Sequence, residues 1–172
     1  VPNYYSRFFG EGNWSNGSGV GNDFATERSM VRNLIVDNVL YWVEEYHIDG
    51  FRFDLAGLID VQTVNEIVST VHAKYPYVMF YGEGWAAGST AVQDGHDLAT
   101  KGNAWKTGDF GYFNDDFRNV IAGNNGGSWG FASGGGYADA IANYFRASNS
   151  FSTSPTQTIN YVSCHDNYCL TD

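Results

Sequence analysis

From about Thr26 to His47 the apolar residues Val31, Leu34, Ile35, Val39, Trp42, Val43 and Tyr46 fall at three- and four-residue steps. That period predicts an amphipathic helix with one apolar face. Asp49-Gly50 ends it, and Phe51 to Asp54 then reads as a short strand. Asp60 is placed to cap a second helix, in which Val61, Val64, Ile67, Val68 and Val71 recur at helical spacing up to the stop at Pro76. The apolar, β-favouring run Tyr77 to Tyr81 reads as a buried strand. Helix, strand, helix, strand is the rhythm of parallel strands joined by crossover helices. Further along, Phe110 to Phe113 reads as a strand, Asp115 to Ile121 as a helix, Tyr137 to Arg146 as a helix and Thr158 to Ser163 as a strand. Residues 1–25 and the Gly-rich stretch Gly123 to Gly136 read as loops.

The 172 residues carry a formal net charge of −10, with only 9 Lys and Arg. A chain this acidic is a poor match for the phosphate backbone of nucleic acid or for an anionic membrane. No apolar run approaches the length of a membrane span. The chain opens on Val1-Pro2-Asn3 and stops soon after a charged and aromatic stretch, so it is expected to be part of a longer one. Cys164 and Cys169 are too few for a disulfide framework and lack zinc-site partners; they are expected not to pair with each other.

Candidate chemistry gathers at the C-terminal ends of three predicted strands: Arg52 with Asp54, then Glu83, then His165 with Asp166. In a parallel barrel those ends form one rim, where active sites are built. Arg52 and Asp54, two apart on a strand, face the same way, so the guanidinium is expected to keep Asp54 ionised. Glu83 lies between Gly82 and Gly84, which would leave room for a ligand to approach, and apolar surroundings would favour its protonated form. His165 and Asp166 can bond sugar hydroxyls, and Trp85 and Tyr168 can stack on sugar rings. Each feature alone has a plain structural alternative: a buried Arg–Asp pair, a strand-end turn, an Asp-Asn turn, a core aromatic.

Together the motifs are far more specific. Asp49-Gly50-Phe51-Arg52-Phe53-Asp54-Leu55, Tyr81-Gly82-Glu83-Gly84-Trp85 and Val162-Ser163-Cys164-His165-Asp166-Asn167 resemble the nucleophile, general-acid and third-carboxylate motifs of the α-amylase superfamily of glycoside hydrolases. Within it the chain resembles type I pullulanases, also through Gly21-Asn22-Asp23, Thr26-Glu27-Arg28 and Phe113-Asn114-Asp115-Asp116-Phe117-Arg118. The spacing agrees: one strand–helix–strand unit separates Asp54 from Glu83, and room for two more plus a loop separates Glu83 from Asp166. The resemblance implies an α/β fold, part of a (β/α)8 barrel from the helix before strand four to strand seven, within one catalytic domain. Strands one to three, with their Asp and His motif, and strand eight would lie outside the chain. Ala56 stands where Met is expected, and Cys169-Leu170-Thr171 replaces the more usual Thr-Leu-Trp.

The resemblance further implies a debranching hydrolase that cleaves α-1,6-glucosidic bonds with retention. Asp54 is then the nucleophile, Glu83 the general acid and base, and Asp166 the third carboxylate. Arg52, His165, Trp85 and Asn167 contact substrate. No cofactor or metal is implied within this chain; calcium stays open for the longer protein, since Asp115 and Asp116 have no recognisable calcium-ligand spacing. The expected partner is a branched α-glucan, with no nucleic acid. An isoamylase-type enzyme usually has Glu-Pro-Trp where this chain has Glu83-Gly84-Trp85. A catalytically silent glycan-binding barrel would tend to have lost a carboxylate, and a nucleotide-binding fold would need a Gly-rich strand–helix turn that is not found.

Strand edges and apolar helix faces left open would make the chain alone inactive and only marginally stable. Purified 1–172 should melt broadly and show no turnover of pullulan. A sharp cooperative melt with turnover would contradict this.

Overall fold

The computed structural model describes residues 4–10, 12–124, 127–146, 151–166 and 169–170. Its centre is a four-stranded parallel sheet in chain order: β3 (Gly50–Phe53), β4 (Met79–Gly82), β5 (Gly111–Asn114) and β6 (Thr158–Asn160). β1 (Phe8–Gly10) and β2 (Asn13–Trp14) form a separate antiparallel pair, ordered structure in a stretch that reads as a loop. Among the described residues four α-helices accompany the strands: α1 (Ser29–Tyr46), α2 (Val61–His72), α3 (Asp115–Ala122) and α4 (Ala138–Phe145). The parallel α/β arrangement expected from the helix–strand rhythm is therefore present. No described helix is long and apolar enough to cross a membrane.

α2 follows its sequence pattern closely. The buried Asp60 side chain accepts from the Thr63 amide at 3.0 Å, satisfying an orphan N–H of the first turn. Val64, Ile67, Val68 and Val71 are buried and join the core with Val78, Phe80, Phe110 and Tyr112. α1 departs from expectation. Val31, Val36, Val39 and Val43 are its buried apolar residues, while Leu34, Trp42 and Tyr46 are exposed. Its apolar residues run more than halfway round the helix. One side packs on α2, and Leu34, Ile35 and Trp42 instead line an apolar hollow of about 560 Å³ with Ile48, Phe51 and Phe53.

Two strands are offset from the sequence reading. β4 begins at Met79 rather than Tyr77, because the Met79 amide bonds to the Asp49 carbonyl and β3–β4 pairing starts at Gly50–Met79. Tyr77 is left exposed in the preceding turn. β6 ends at Asn160, where its partner β5 runs out at Asn114. The β4–β5 connection contains no described α-helix. It runs through an extended loop and a 3₁₀ turn, Lys101–Lys106.

A buried polar network holds that loop down. Arg7, 1% exposed, donates from Nη2 and Nε to Glu27 at 2.8 and 3.0 Å. Its Nη1 donates to the Leu58 carbonyl at 2.8 Å and the Thr90 hydroxyl at 3.1 Å. Asp23 accepts from the Ser15 and Thr90 hydroxyls, each at 2.7 Å, and from the Gly17 and Ser18 amides. Burial pushes the Asp23 carboxyl up, but these four donors together outweigh it and hold it below its usual value. The network thus joins residues 7–27, the turn after β3 and the loop after β4.

Ile67→Ala in the full protein that carries this chain should cost about 2–5 kcal/mol, the usual range for emptying a fully buried aliphatic site. A denaturant midpoint lowered at unchanged slope checks this. An unchanged midpoint would show that α2 does not pack as described.

Candidate active site

Parallel strands that end in register bring side chains at their C-terminal ends together. β3 and β4 pair Arg52 with Tyr81 and Phe53 with Gly82, so Asp54 and Glu83 leave adjacent strands at the same level. Arg52 bridges them: Nη1 donates to Asp54 Oδ1 at 2.5 Å and Nη2 to Glu83 Oε1 at 2.5 Å. Immediately after Asp54 the backbone turns left-handed at Leu55, with φ 42° and ψ 47°. That conformation costs a non-glycine residue about 1–2 kcal/mol. It also aims the Leu55 amide at Glu83 Oε2, 2.8 Å away.

Glu83 is 5% exposed, whereas the Asp54 side chain keeps 72% of its surface. This is the reverse of a sealed Arg52–Asp54 pair with Glu83 in solvent. Nor are the surroundings of Glu83 simply apolar as expected, since both its oxygens accept hydrogen bonds. The flanking glycines also serve a different end from ligand approach. A β-carbon on Gly82 would come within 2.7 Å of the Phe53 carbonyl oxygen, and one on Gly84 within 2.8 Å of the Lys101 amide and the Tyr112 ring. Chain packing takes up the space they leave.

Arg52, Glu83, Trp85, His165 and Asp166 line one cavity of about 220 Å³. Asp54 does not line it, but an oxygen of Asp54, an oxygen of Glu83 and a ring nitrogen of His165 all lie within 4.8 Å of one another. His165 Nε2 is 3.5 Å from Asp166 Oδ1, and the Cys164 thiol donates to the Asp166 carbonyl. Asn167 and Tyr168 lie outside the described residues. Among those described, no disulfide joins Cys164 to Cys169.

The same cavity is walled by Phe113, Asp115, Arg118, Tyr161 and Cys164, none of which the sequence reading placed in the site. The signal for Asp115 was available. It directly follows β5, the strand end between the two that carry Glu83 and His165, and Arg118 lies one turn further along α3. Lys101 forms an ion pair with Asp115 and lies over the Trp85 ring, 5.3 Å from its centroid. Arg52 and Arg118 sit over the rings of Phe113 and Tyr161 at 5.9 and 5.7 Å. The cavity therefore pairs carboxylates with cations and lines them with aromatic faces, a chemistry suited to binding and cleaving a neutral, hydroxyl-rich ligand.

No protein-family model matches the chain. Among curated proteins it is 39% identical, over its whole length, to the pullulanase of Bacillus subtilis. The chain belongs to the pullulanase family. It spans about a quarter of the length of that relative. Two pullulanase crystal structures each cover 99% of the chain, which in turn covers 25% of theirs. The pullulanase of Anoxybacillus, solved with maltotetraose, superposes with a TM-score of 0.91 at 43% identity. The type I pullulanase of Bacillus subtilis, solved with maltose, gives 0.87 at 40%.

Burial pushes the Tyr161 phenol up to about 12; Arg118 opposes this, and Cys164, Asp115 and Glu83 add to it. With a folded value above that of a free tyrosine, its contribution to stability is intact below about pH 10. That contribution is lost as the pH rises through about 12. A phenolate absorbance titration of the folded protein should lose one late-titrating group in Tyr161→Phe. Loss of a group near pH 10 instead would contradict the half-buried placement.

Proposed function

We propose that the protein carrying this chain is a starch-debranching glycoside hydrolase that cleaves α-1,6-glucosidic bonds with retention, and that residues 1–172 form one sector of its catalytic (β/α)8 barrel. The observation that carries this reading is the carboxylate pair. Asp54 and Glu83 leave neighbouring parallel strands, share the Arg52 guanidinium and bring oxygens within 4.8 Å of each other. Retaining glycosidases hold their two carboxyl groups about 5–5.5 Å apart, whereas inverting ones leave about 6.5–9.5 Å for a water.

In this mechanism Asp54, exposed and charge-paired, attacks the anomeric carbon. Glu83 protonates the departing glycosidic oxygen, then takes a proton from the water that hydrolyses the glycosyl-enzyme. Arg52 orients both carboxylates. Asp166 and His165 bond hydroxyls of the reacting sugar, Asn167 is assigned to the same sugar by the family resemblance, and Trp85 stacks on a sugar of the leaving group. The maltooligosaccharides bound by the related pullulanases are consistent with an α-glucan substrate. The barrel reading draws on sheet order as well. The four strands run parallel in strict sequence, as neighbours in a barrel do, and the apolar hollow beside β3 offers a surface for further structure.

The full protein should hydrolyse pullulan faster than unbranched amylose, with the α-anomer of the new reducing end appearing first by proton NMR. Glu83→Gln should lower kcat by about 10²–10⁴-fold, the effect of removing a positioned proton donor. Prior appearance of the β-anomer would overturn retention. Preference for amylose would overturn the linkage assignment.

A further inference from the structure

The described residues of the Gly-rich stretch after α3 are tightly turned. Gly123 pairs with Trp129 in an antiparallel bridge, and the Gly135 amide bonds to the Gly130 carbonyl at 2.8 Å. The chain passes so close to itself that a β-carbon on Gly130 would meet the Ile121 carbonyl oxygen at 2.3 Å. Yet the side chain this scaffold fixes, Trp129, is 70% exposed. Leaving an indole in water forgoes the stabilisation its burial would give, and a rigid backbone beneath it removes much of the ordering cost of binding.

Trp129 borders a hollow of about 240 Å³ between α3 and α4, lined also by Asp116, Asn119, Ser128, Tyr137 and Tyr144. Three aromatic rings offer flat apolar faces, while a carboxylate, an amide and hydroxyls offer bonding partners. Among the described residues no Lys, Arg or His lines the hollow, which disfavours an anionic ligand. Burial first, then the charges of Asp116 and Asp115, push the Tyr144 phenol up and keep it a donor. A pyranose presents C–H faces to aromatic rings and hydroxyls at its edge, and matches this lining. The place also matters. Asp115 lines the candidate active cavity and the next residue, Asp116, lines this hollow, so the first turn of α3 is the wall between them.

We propose that this hollow is a second α-glucan-binding site, in which Trp129 stacks on a sugar ring and holds a branch or main chain beside the active cavity. The ligand class rests on the debranching reading above.

The test uses the full protein as Asp54→Asn, so that glucan is not consumed, run on native gels containing amylopectin. Adding Trp129→Ala should weaken retention about two- to tenfold, the range for one lost aromatic contact. Trp129→Phe should keep most of it, and Tyr137→Ala, a separate ring on the same hollow, should weaken it as well. Far-ultraviolet circular dichroism identifies any variant that fails to fold. Undiminished retention in a folded Trp129→Ala or Tyr137→Ala protein would overturn the second site alone. An Asp54→Asn protein that no glucan retards would overturn the debranching reading with it.

Discussion

The site is organised around one guanidinium. Arg52 lies on β3 with a carboxylate bonded to each side, and each of those carboxylates stands at the end of a different strand. Two anions this close repel each other, and a shared cation between them offsets that repulsion. Arg52 can reach both only because β3 and β4 are parallel and end in register, Phe53 opposite Gly82. The sheet thus supplies the convergence, the cation makes it tolerable, and the left-handed Leu55 adds an amide to the buried member of the pair.

Around this centre the loops are fixed by polar as well as apolar means. The β4–β5 connection has no described α-helix, and it buries Ala99, Ala104 and Phe110 in the core. Arg7 holds the part nearer Glu83. A fully buried guanidinium must satisfy its donors, and it does so on Glu27, Leu58, Thr26 and Thr90 at once. Because Leu58 follows Asp54 and Thr90 follows Glu83, the same residue ties together the loops that leave both carboxylates. The Trp85 side chain is fixed separately, by Lys101 and its ion pair to Asp115.

The exposed apolar surface has two characters. Leu34, Trp42, Phe51 and Phe53 form a broad apolar hollow beside the open edge of β3. It has few polar groups, as expected where further protein packs. The hollow at Trp129 is polar and aromatic together, and a tightly turned backbone displays it. The first suits a covering element and the second a ligand, a distinction made by the polar atoms and not by area.

What the sequence determined by itself was local and periodic. The three-and-four spacing of Val64, Ile67, Val68 and Val71, with Asp60 before it, specified α2 and its buried face, because helix geometry alone decides which of those residues align. Arg52 and Asp54, two apart on a strand, had to face the same way, and the motifs around Asp54, Glu83 and Asp166 indicated the family. What only the tertiary structure decided depended on neighbours distant in the chain. Which side of α1 is covered depends on where α2 and the sheet lie, so Leu34 and Trp42 could not be told from Val39 and Val43. The glycines beside Glu83 looked like space for a ligand until Phe53, Lys101 and Tyr112 were seen to fill it. The Arg7 network joins residues 7–27 to Leu58 and Thr90 through single hydrogen bonds across long stretches of chain. No periodicity encodes such contacts, because each one exists only once the backbone has brought its partners together.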